Sequence, residues 1–82
     1  MNKELWQHLD LIHTTKLGEE RIKKNLKIHA DVVEYLKDKI ENKNAVIYQK
    51  GKNYYVEIDD FRITINSNNY CIITAHFINK GL

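Results

Sequence analysis

AVIYQKGKNYYVEIDDFRITINSNNYCIITAHF, residues 45–77, is a run of short stretches rich in β-branched and aromatic residues, parted by turn signals. Gly51-Lys52 has the Gly-X form of a two-residue hairpin loop, which sets Lys50 opposite Asn53, Tyr48 opposite Tyr55 and Val46 opposite Glu57. Asp59-Asp60 forms a second two-residue turn and faces Ile58 with Phe61, Glu57 with Arg62 and Tyr55 with Thr64. Ser67-Asn68-Asn69, residues that tolerate left-handed backbone, reads as a three-residue loop pairing Asn66 with Tyr70, Thr64 with Ile72 and Arg62 with Thr74. The expected strands are 45–50, 53–58, 61–66 and 70–77, in one antiparallel meander.

Side chains alternate across a strand, so these registers sort the sheet into two faces. Ala45, Ile47, Tyr54, Val56, Ile58, Phe61, Ile63, Ile65, Cys71, Ile73 and Ala75 fall on an apolar face that asks to be covered. The other face carries one transverse row of Val46, Glu57, Arg62 and Thr74, and a neighbouring row of Tyr48, Tyr55, Thr64 and Ile72. His76 is expected at the edge near Asp60.

The covering layer comes from the first half of the chain. Leu5, Leu9 and Ile12, with Trp6 beside them, recur at helical spacing and predict a helix over about 3–13. Thr14 and Thr15 are capping residues before a second helix, about 16–27, whose apolar positions are Leu17, Ile22 and Leu26. Asp31, with Glu34 three residues on, resembles a capping box and opens a third helix, about 31–42. Isolated helices of this length are marginal in water and must bury their stripes against the sheet. The expected fold is therefore α+β, with three amino-terminal helices packed on one face of a four-stranded antiparallel sheet, and 1–82 as a single domain.

Composition narrows the function classes. The chain has 82 residues, 43% hydrophobic and 29% charged, with a net charge of +2. No apolar run approaches the roughly 18 residues of a membrane span, and Met1-Asn2-Lys3-Glu4 leads directly into an amphipathic pattern without a signal sequence, so a cytoplasmic location is expected. One cysteine excludes an intramolecular disulfide framework, and the four histidines lack the paired spacing of a helical zinc site. No Gly-rich phosphate loop is present, and neither metal nor cofactor is expected. The mild positive balance admits nucleic-acid contact without arguing for it.

Taken together, His-Thr-Thr-x-x-Gly-x-x-Arg-Ile-x-x-Asn-Leu at 13–26, Lys-Gly-Lys-Asn-Tyr-Tyr-Val at 50–56, Ile-Thr-Ile-Asn at 63–66 and Ile-Ile-Thr-Ala-His at 72–76 resemble a family of short bacterial proteins catalogued as a domain of unknown function. That resemblance implies a small cytoplasmic bacterial or phage-related domain. The layout of amino-terminal helices before an antiparallel sheet is also similar to that of the barnase, EndoU, colicin and RelE group of metal-independent ribonucleases. There, polar residues on the exposed sheet face cleave RNA, and Glu57, Arg62 and His76 match by type and chain order the glutamate, arginine and late histidine of barnase-like members. The likeness is one of layout, not of motif.

Metal-free RNA cleavage needs a base for the 2′-hydroxyl, an acid for the leaving oxygen and a cation for the charge that develops on phosphate. Glu57 or His13 is the candidate base, His76 the acid and Arg62 the cation, with Thr74 or Thr64 donating a hydrogen bond. Tyr48 and Tyr55 are placed to stack a base, and Arg21, Lys24, Lys50 and Lys52 to meet phosphates or a partner. The plainer reading is a cross-strand Glu57–Arg62 ion pair among good strand formers, a solvated basic helix face, and His13 at a helix C-terminus. Three functions stay open: a small RNA-directed domain, with a toxin-type metal-independent endoribonuclease as its catalytic form; a non-enzymatic module that binds a larger protein, such as a phage-encoded, anti-CRISPR-like inhibitor of a host defence enzyme; or a transcription-regulator or antitoxin-like adaptor that uses the basic second helix. A homodimer through the exposed sheet face or edge fits each.

Overall fold

The computed structural model describes residues 5–29 and 31–78. A 3-10 helix, Leu5–Leu11, is followed by α1 (Lys16–Leu26), α2 (Val32–Ile40), β1 (Val46–Lys50), β2 (Asn53–Ile58), β3 (Phe61–Asn66) and β4 (Ile72–Phe77). The strands form one antiparallel sheet in the order β1-β2-β3-β4, giving an α+β fold.

The expected first helix is corrected: its start at residues 3 and 4 lies outside the described residues, and the remainder is a short 3-10 piece kinked at His8, with φ −123 and ψ 26. The reason lies downstream. The chain must turn extended at His13, where the backbone bridges Cys71 in parallel and takes part in two main-chain bonds, His13 N–H to Tyr70 O (3.3 Å) and Ile72 N–H to His13 O (2.7 Å). A full helix to residue 13 would forfeit both. The 3-10 segment is instead anchored by buried Leu5 and by Trp6 Nε1, which donates to the Ile40 carbonyl at 2.7 Å and so satisfies one orphan acceptor at the end of α2. The two α-helices carry the N-caps their sequences signal: Thr15 accepts from Gly18 N–H and Asp31 from Glu34 N–H.

Both two-residue hairpins have the predicted registers, from Val46 against Glu57 to Lys50 against Asn53 and from Ile58 against Phe61 to Tyr55 against Thr64. Gly51 has φ +63 and Asp59 φ +54, each at the first turn position. The third hairpin differs from expectation in two places. Tyr70 adopts φ +60 and joins the loop, so that Asn66 N–H bonds Cys71 O. A second residue is added at a bulge: Ile65 faces Ile72 but Thr64 faces Thr74, leaving Ile73 as the extra residue. Each irregularity shifts the register by one residue and together they shift it by two. Side-chain parity is reversed between them and restored beyond, so Ile72 is buried where Cys71 and Ile73 were expected, Ile73 is 43% exposed, and Ala75 is buried as expected.

The core lies between the helices and the apolar sheet face, with Leu5, Ile22, Leu36, Ile40, Val56, Ile63, Ile65 and Ile72 at its centre. α1 packs along β4 and α2 over β2. The outer edge of β4 is occupied: besides the His13 bridge, Thr14 Oγ1 donates to Ile72 O (3.0 Å) and Asn25 Nδ2 to Ala75 O (3.2 Å). Among the described residues the open edge of the sheet is therefore that of β1, at the other end of the strand order.

Candidate functional site

The sheet face turned away from the helices is built by the alternation that buries the other. The revised β3–β4 register moves His76 from the expected edge position to a place directly across from Arg62, and Thr74 across from Thr64. The transverse rows are thus Val46–Glu57–Arg62–His76 and Tyr48–Tyr55–Thr64–Thr74. Side chains directly opposite on neighbouring strands stand about 5 Å apart at Cβ, so Arg62 lies between the glutamate and the histidine.

Glu57 is the hub of this face. Its Oε2 accepts from Tyr48 Oη (2.7 Å) and Arg62 Nε (3.2 Å), and Arg62 Nη2 is 3.0 Å from the same oxygen. The pair is only partly exposed, with the Glu57 side chain at 19% and Arg62 at 36%. The hydrogen bond to Glu57 is the main reason the Tyr48 phenol is held above its ordinary pKa, with desolvation and the Glu57 charge acting in the same direction. Tyr48 and Tyr55 stack with centroids 5.4 Å apart and planes 25° apart. Each hydroxyl is engaged, Tyr48 by Glu57 and Tyr55 by Asn53 Nδ2 at 3.4 Å. Two half-buried rings are thereby held as a stacked aromatic pair beside the Glu57–Arg62 ion pair.

Other candidates are distributed differently. Thr64 is only 8% exposed, between Tyr55 and Thr74, and offers little surface to a ligand. His13 is exposed, its Nδ1 2.9 Å from Leu11 O, and sits beside Cys71 at the start of β4. His76 is five positions further along β4, roughly 15 Å at the strand rise of about 3.3 Å, so His13 does not share a site with the Glu57 row. Lys50 is exposed at the end of β1 opposite Asn53. Lys52 is exposed in the turn, its carbonyl accepting from both Ser67 N–H and Oγ at 2.9 Å. Arg21 and Lys24 are exposed on α1.

Asn25 and Asn53 escaped the sequence reading. Asparagine is a poor residue for a helix interior, and that mismatch was the available signal that Asn25 has a partner outside its own helix. Among the described residues no concave pocket is present, no three His, Cys, Asp or Glu side chains converge, and no helix is long and apolar enough to cross a membrane.

A family model described as a protein of unknown function, DUF3781, matches residues 6–76, and the chain belongs to that family. No curated protein and no solved structure matches it.

Proposed function

We propose that this member of a family without an assigned function is a small RNA-directed domain that receives single-stranded RNA on the open face of its sheet. The observation that carries the reading is the row Glu57–Arg62–His76 beside the stacked Tyr48 and Tyr55, on a face that no described element covers. Unstacked bases rest on aromatic side chains regardless of sequence, while guanidinium and imidazole N–H groups meet phosphate. Glu57 fixes both the guanidinium and the Tyr48 hydroxyl, so the groups are ordered before a ligand arrives, which lowers the entropy lost on binding.

The same row supports cleavage as a second reading. Glu57 and His76 flank Arg62 across adjacent strands, about 10 Å apart at two strand spacings. That leaves room for a phosphodiester between a base and an acid acting on opposite sides of phosphorus, with Arg62 against its oxygens. The test is incubation of the purified protein with labelled single-stranded RNA in excess chelator, measuring binding by fluorescence anisotropy and integrity on a gel. RNA binding lost in Arg62→Gln and Tyr48→Ala supports the platform; cleavage lost in folded Glu57→Gln and His76→Ala adds the chemistry. Absence of RNA binding, with a larger protein retained on the same face, would replace the reading with that of a protein-binding module.

A further inference from the structure

The sheet treats its two edges differently. Along β4 the outer main chain is occupied by the His13 bridge, by Thr14 Oγ1 on Ile72 O and by Asn25 Nδ2 on Ala75 O. Along β1, among the described residues, no element other than β2 pairs with the strand. Edge strands are ordinarily guarded by a proline, a bulge or an inward-pointing charge. β1 has none of these: the chain contains no proline, the β1–β2 register is regular, and the strand's one charge is Lys50, at its last position.

The main-chain groups of β1 divide by direction. Lys50 and Asn53 flank the two-residue turn and exchange both N–H···O bonds, and alternation makes Tyr48–Tyr55 and Val46–Glu57 pairs of the same kind. The N–H and C=O groups of Ile47 and Gln49 therefore point away from β2. Ala45 N–H is already bonded to Asn42 O at 3.0 Å.

A second copy of the strand, antiparallel and related by a two-fold axis at Tyr48, matches these groups one to one. Ile47 and Gln49 of one chain face Gln49 and Ile47 of the other, so that four main-chain bonds use every outward group of the two residues. An axis at Ile47 would turn the Gln49 carbonyl to Ala45, whose N–H is taken. An axis at Gln49 would oppose Ile47 to Gly51, a turn residue at φ +63. Side chains agree with the Tyr48 axis. Val46, 59% exposed on the open face, lies opposite Lys50 of the second copy, whose aliphatic stem covers it. Each Lys50 is four residues from its counterpart along the seam, about 13 Å at the strand rise, so like charges do not meet. Tyr48 faces its own copy in a close, non-hydrogen-bonded pair and carries the Tyr48–Tyr55 row across the seam.

We infer that β1 is a dimerisation edge, through which two copies of this chain join their four-stranded sheets into one of eight with both open faces on the same side. The dimer stands independently of the RNA reading. A second copy is chosen over a foreign peptide because β1 satisfies its own outward groups in full, in a single register, and brings no like charges together.

The test is sedimentation velocity of the full chain, without RNA, from micromolar to near-millimolar concentration. The parent sediments as a reversible dimer. Gln49→Pro removes an outward N–H and no bond to β2, so the fold, followed by circular dichroism and Trp6 fluorescence, is kept. Two of the four bonds are lost by symmetry, and the dimer weakens on the order of 10- to 100-fold. Gln49→Val keeps the donor and the dimer. Single cysteines in a Cys71→Ser background read the register under mild oxidation, and decide the matter should Gln49→Pro fail to fold. Tyr48→Cys lies within disulfide reach of its own copy and cross-links, while Val46→Cys and Lys50→Cys, about 13 Å from theirs, do not. A parent that is monomeric at every concentration overturns the inference, as does a dimer that Gln49→Pro leaves at full strength, or one that Val46→Cys cross-links and Tyr48→Cys does not. A monomer that retains a larger protein and loses it on Gln49→Pro would assign the edge to strand addition by another chain instead.

Discussion

Gly18→Ala isolates the contact that joins α1 to the sheet edge. Gly18 lies in the first turn of α1, where alanine is normally favoured over glycine by up to about 1 kcal/mol. Here a β-carbon would collide with Thr14 Oγ1 and would stand 3.2 Å from Thr15 Oγ1. Neither oxygen is idle: Thr14 Oγ1 donates to Ile72 O on β4, and Thr15 Oγ1 accepts the N-cap bond from Gly18 N–H, both at 3.0 Å. Displacing Thr14 costs about 1–3 kcal/mol, because a part-buried carbonyl loses its donor, and disturbing the cap adds to this up to about 1 kcal/mol. The clash therefore exceeds the helix gain, and Gly18→Ala destabilises by about 1–2 kcal/mol. In a Thr14→Ala background the obstacle is gone, and the same change is neutral or stabilising by up to about 1 kcal/mol. The assay is urea unfolding followed by the fluorescence of Trp6, the one tryptophan, with the four members of the cycle compared at constant m-value. A rise in the midpoint for Gly18→Ala in the parent, or the same shift in both backgrounds, would refute the account of the His-Thr-Thr-x-x-Gly pattern as a sheet-edge clamp.

Ile72→Ala costs about 2–5 kcal/mol by opening a cavity at a fully enclosed site, whereas Ile73→Ala stays within about 1 kcal/mol; a reversal of that order in urea unfolding would mean that the bulge lies elsewhere. Asp59→Gly raises stability by about 0.5–1 kcal/mol, since a non-glycine residue at φ +54 is strained and the Lys39 contact at 3.7 Å, to a side chain 69% exposed, contributes little; thermal unfolding checks the sign. The Tyr48 phenol is raised in the folded state, so the proton it retains contributes stability below the ordinary tyrosine pKa of about 10, and that contribution disappears as pH rises through the folded value. Tyr48→Phe accordingly removes a tyrosine raised above its ordinary value from an alkaline absorbance titration and flattens this part of the stability profile; an unchanged titration would place the hydrogen bond to Glu57 in doubt.

What the sequence discloses and what it withholds divide along the line between regular and irregular backbone. Gly51-Lys52 and Asp59-Asp60 have one compact solution each, and the strand residues from Ala45 to Ile65 on the apolar face are buried as alternation requires, except Gln49, exposed opposite Tyr54 near the end of β1. The Ser67-Asn68-Asn69 stretch admits loops of several lengths, because Asn66 Oδ1 accepts from both Asn68 and Asn69 N–H and can support more than one closure. A left-handed Tyr70 is not signalled by its residue type, and Ile72-Ile73 is apolar at both positions, so the hydrophobic pattern cannot tell which isoleucine is the extra one at the bulge. The 3-10 segment has the same origin: helical spacing from Leu5 to Ile12 is real, but the main-chain bridge at His13, a tertiary contact with β4, ends it early.

The same two irregularities give the open face its composition. With the shorter loop and no bulge, Arg62 would face Thr74 and the histidine would hang at the margin of the sheet. Each added residue alone would send His76 to the apolar side, since a shift of one reverses every side chain. Both together return it to the open side and set it across from Arg62, two strands from Glu57. The residue types of the candidate site were thus legible from alternation, while their adjacency depended on two single-residue departures from it. β-bulges re-aim side chains where regular pairing would misplace them, and Ile73, 43% exposed on a strand whose Ile72 is 2% exposed, is the residue displaced in doing so. Deleting Ile73 tests that assignment directly. With the extra residue gone and the loop intact, Ile72 still faces Ile65, Thr74 faces Thr64, Ala75 faces Ile63 and His76 faces Arg62, now in a regular ladder, so the imidazole keeps its side of the sheet. If the row is what binds RNA, a folded Ile73 deletion retains binding, and its loss would mean that the extra residue lies elsewhere.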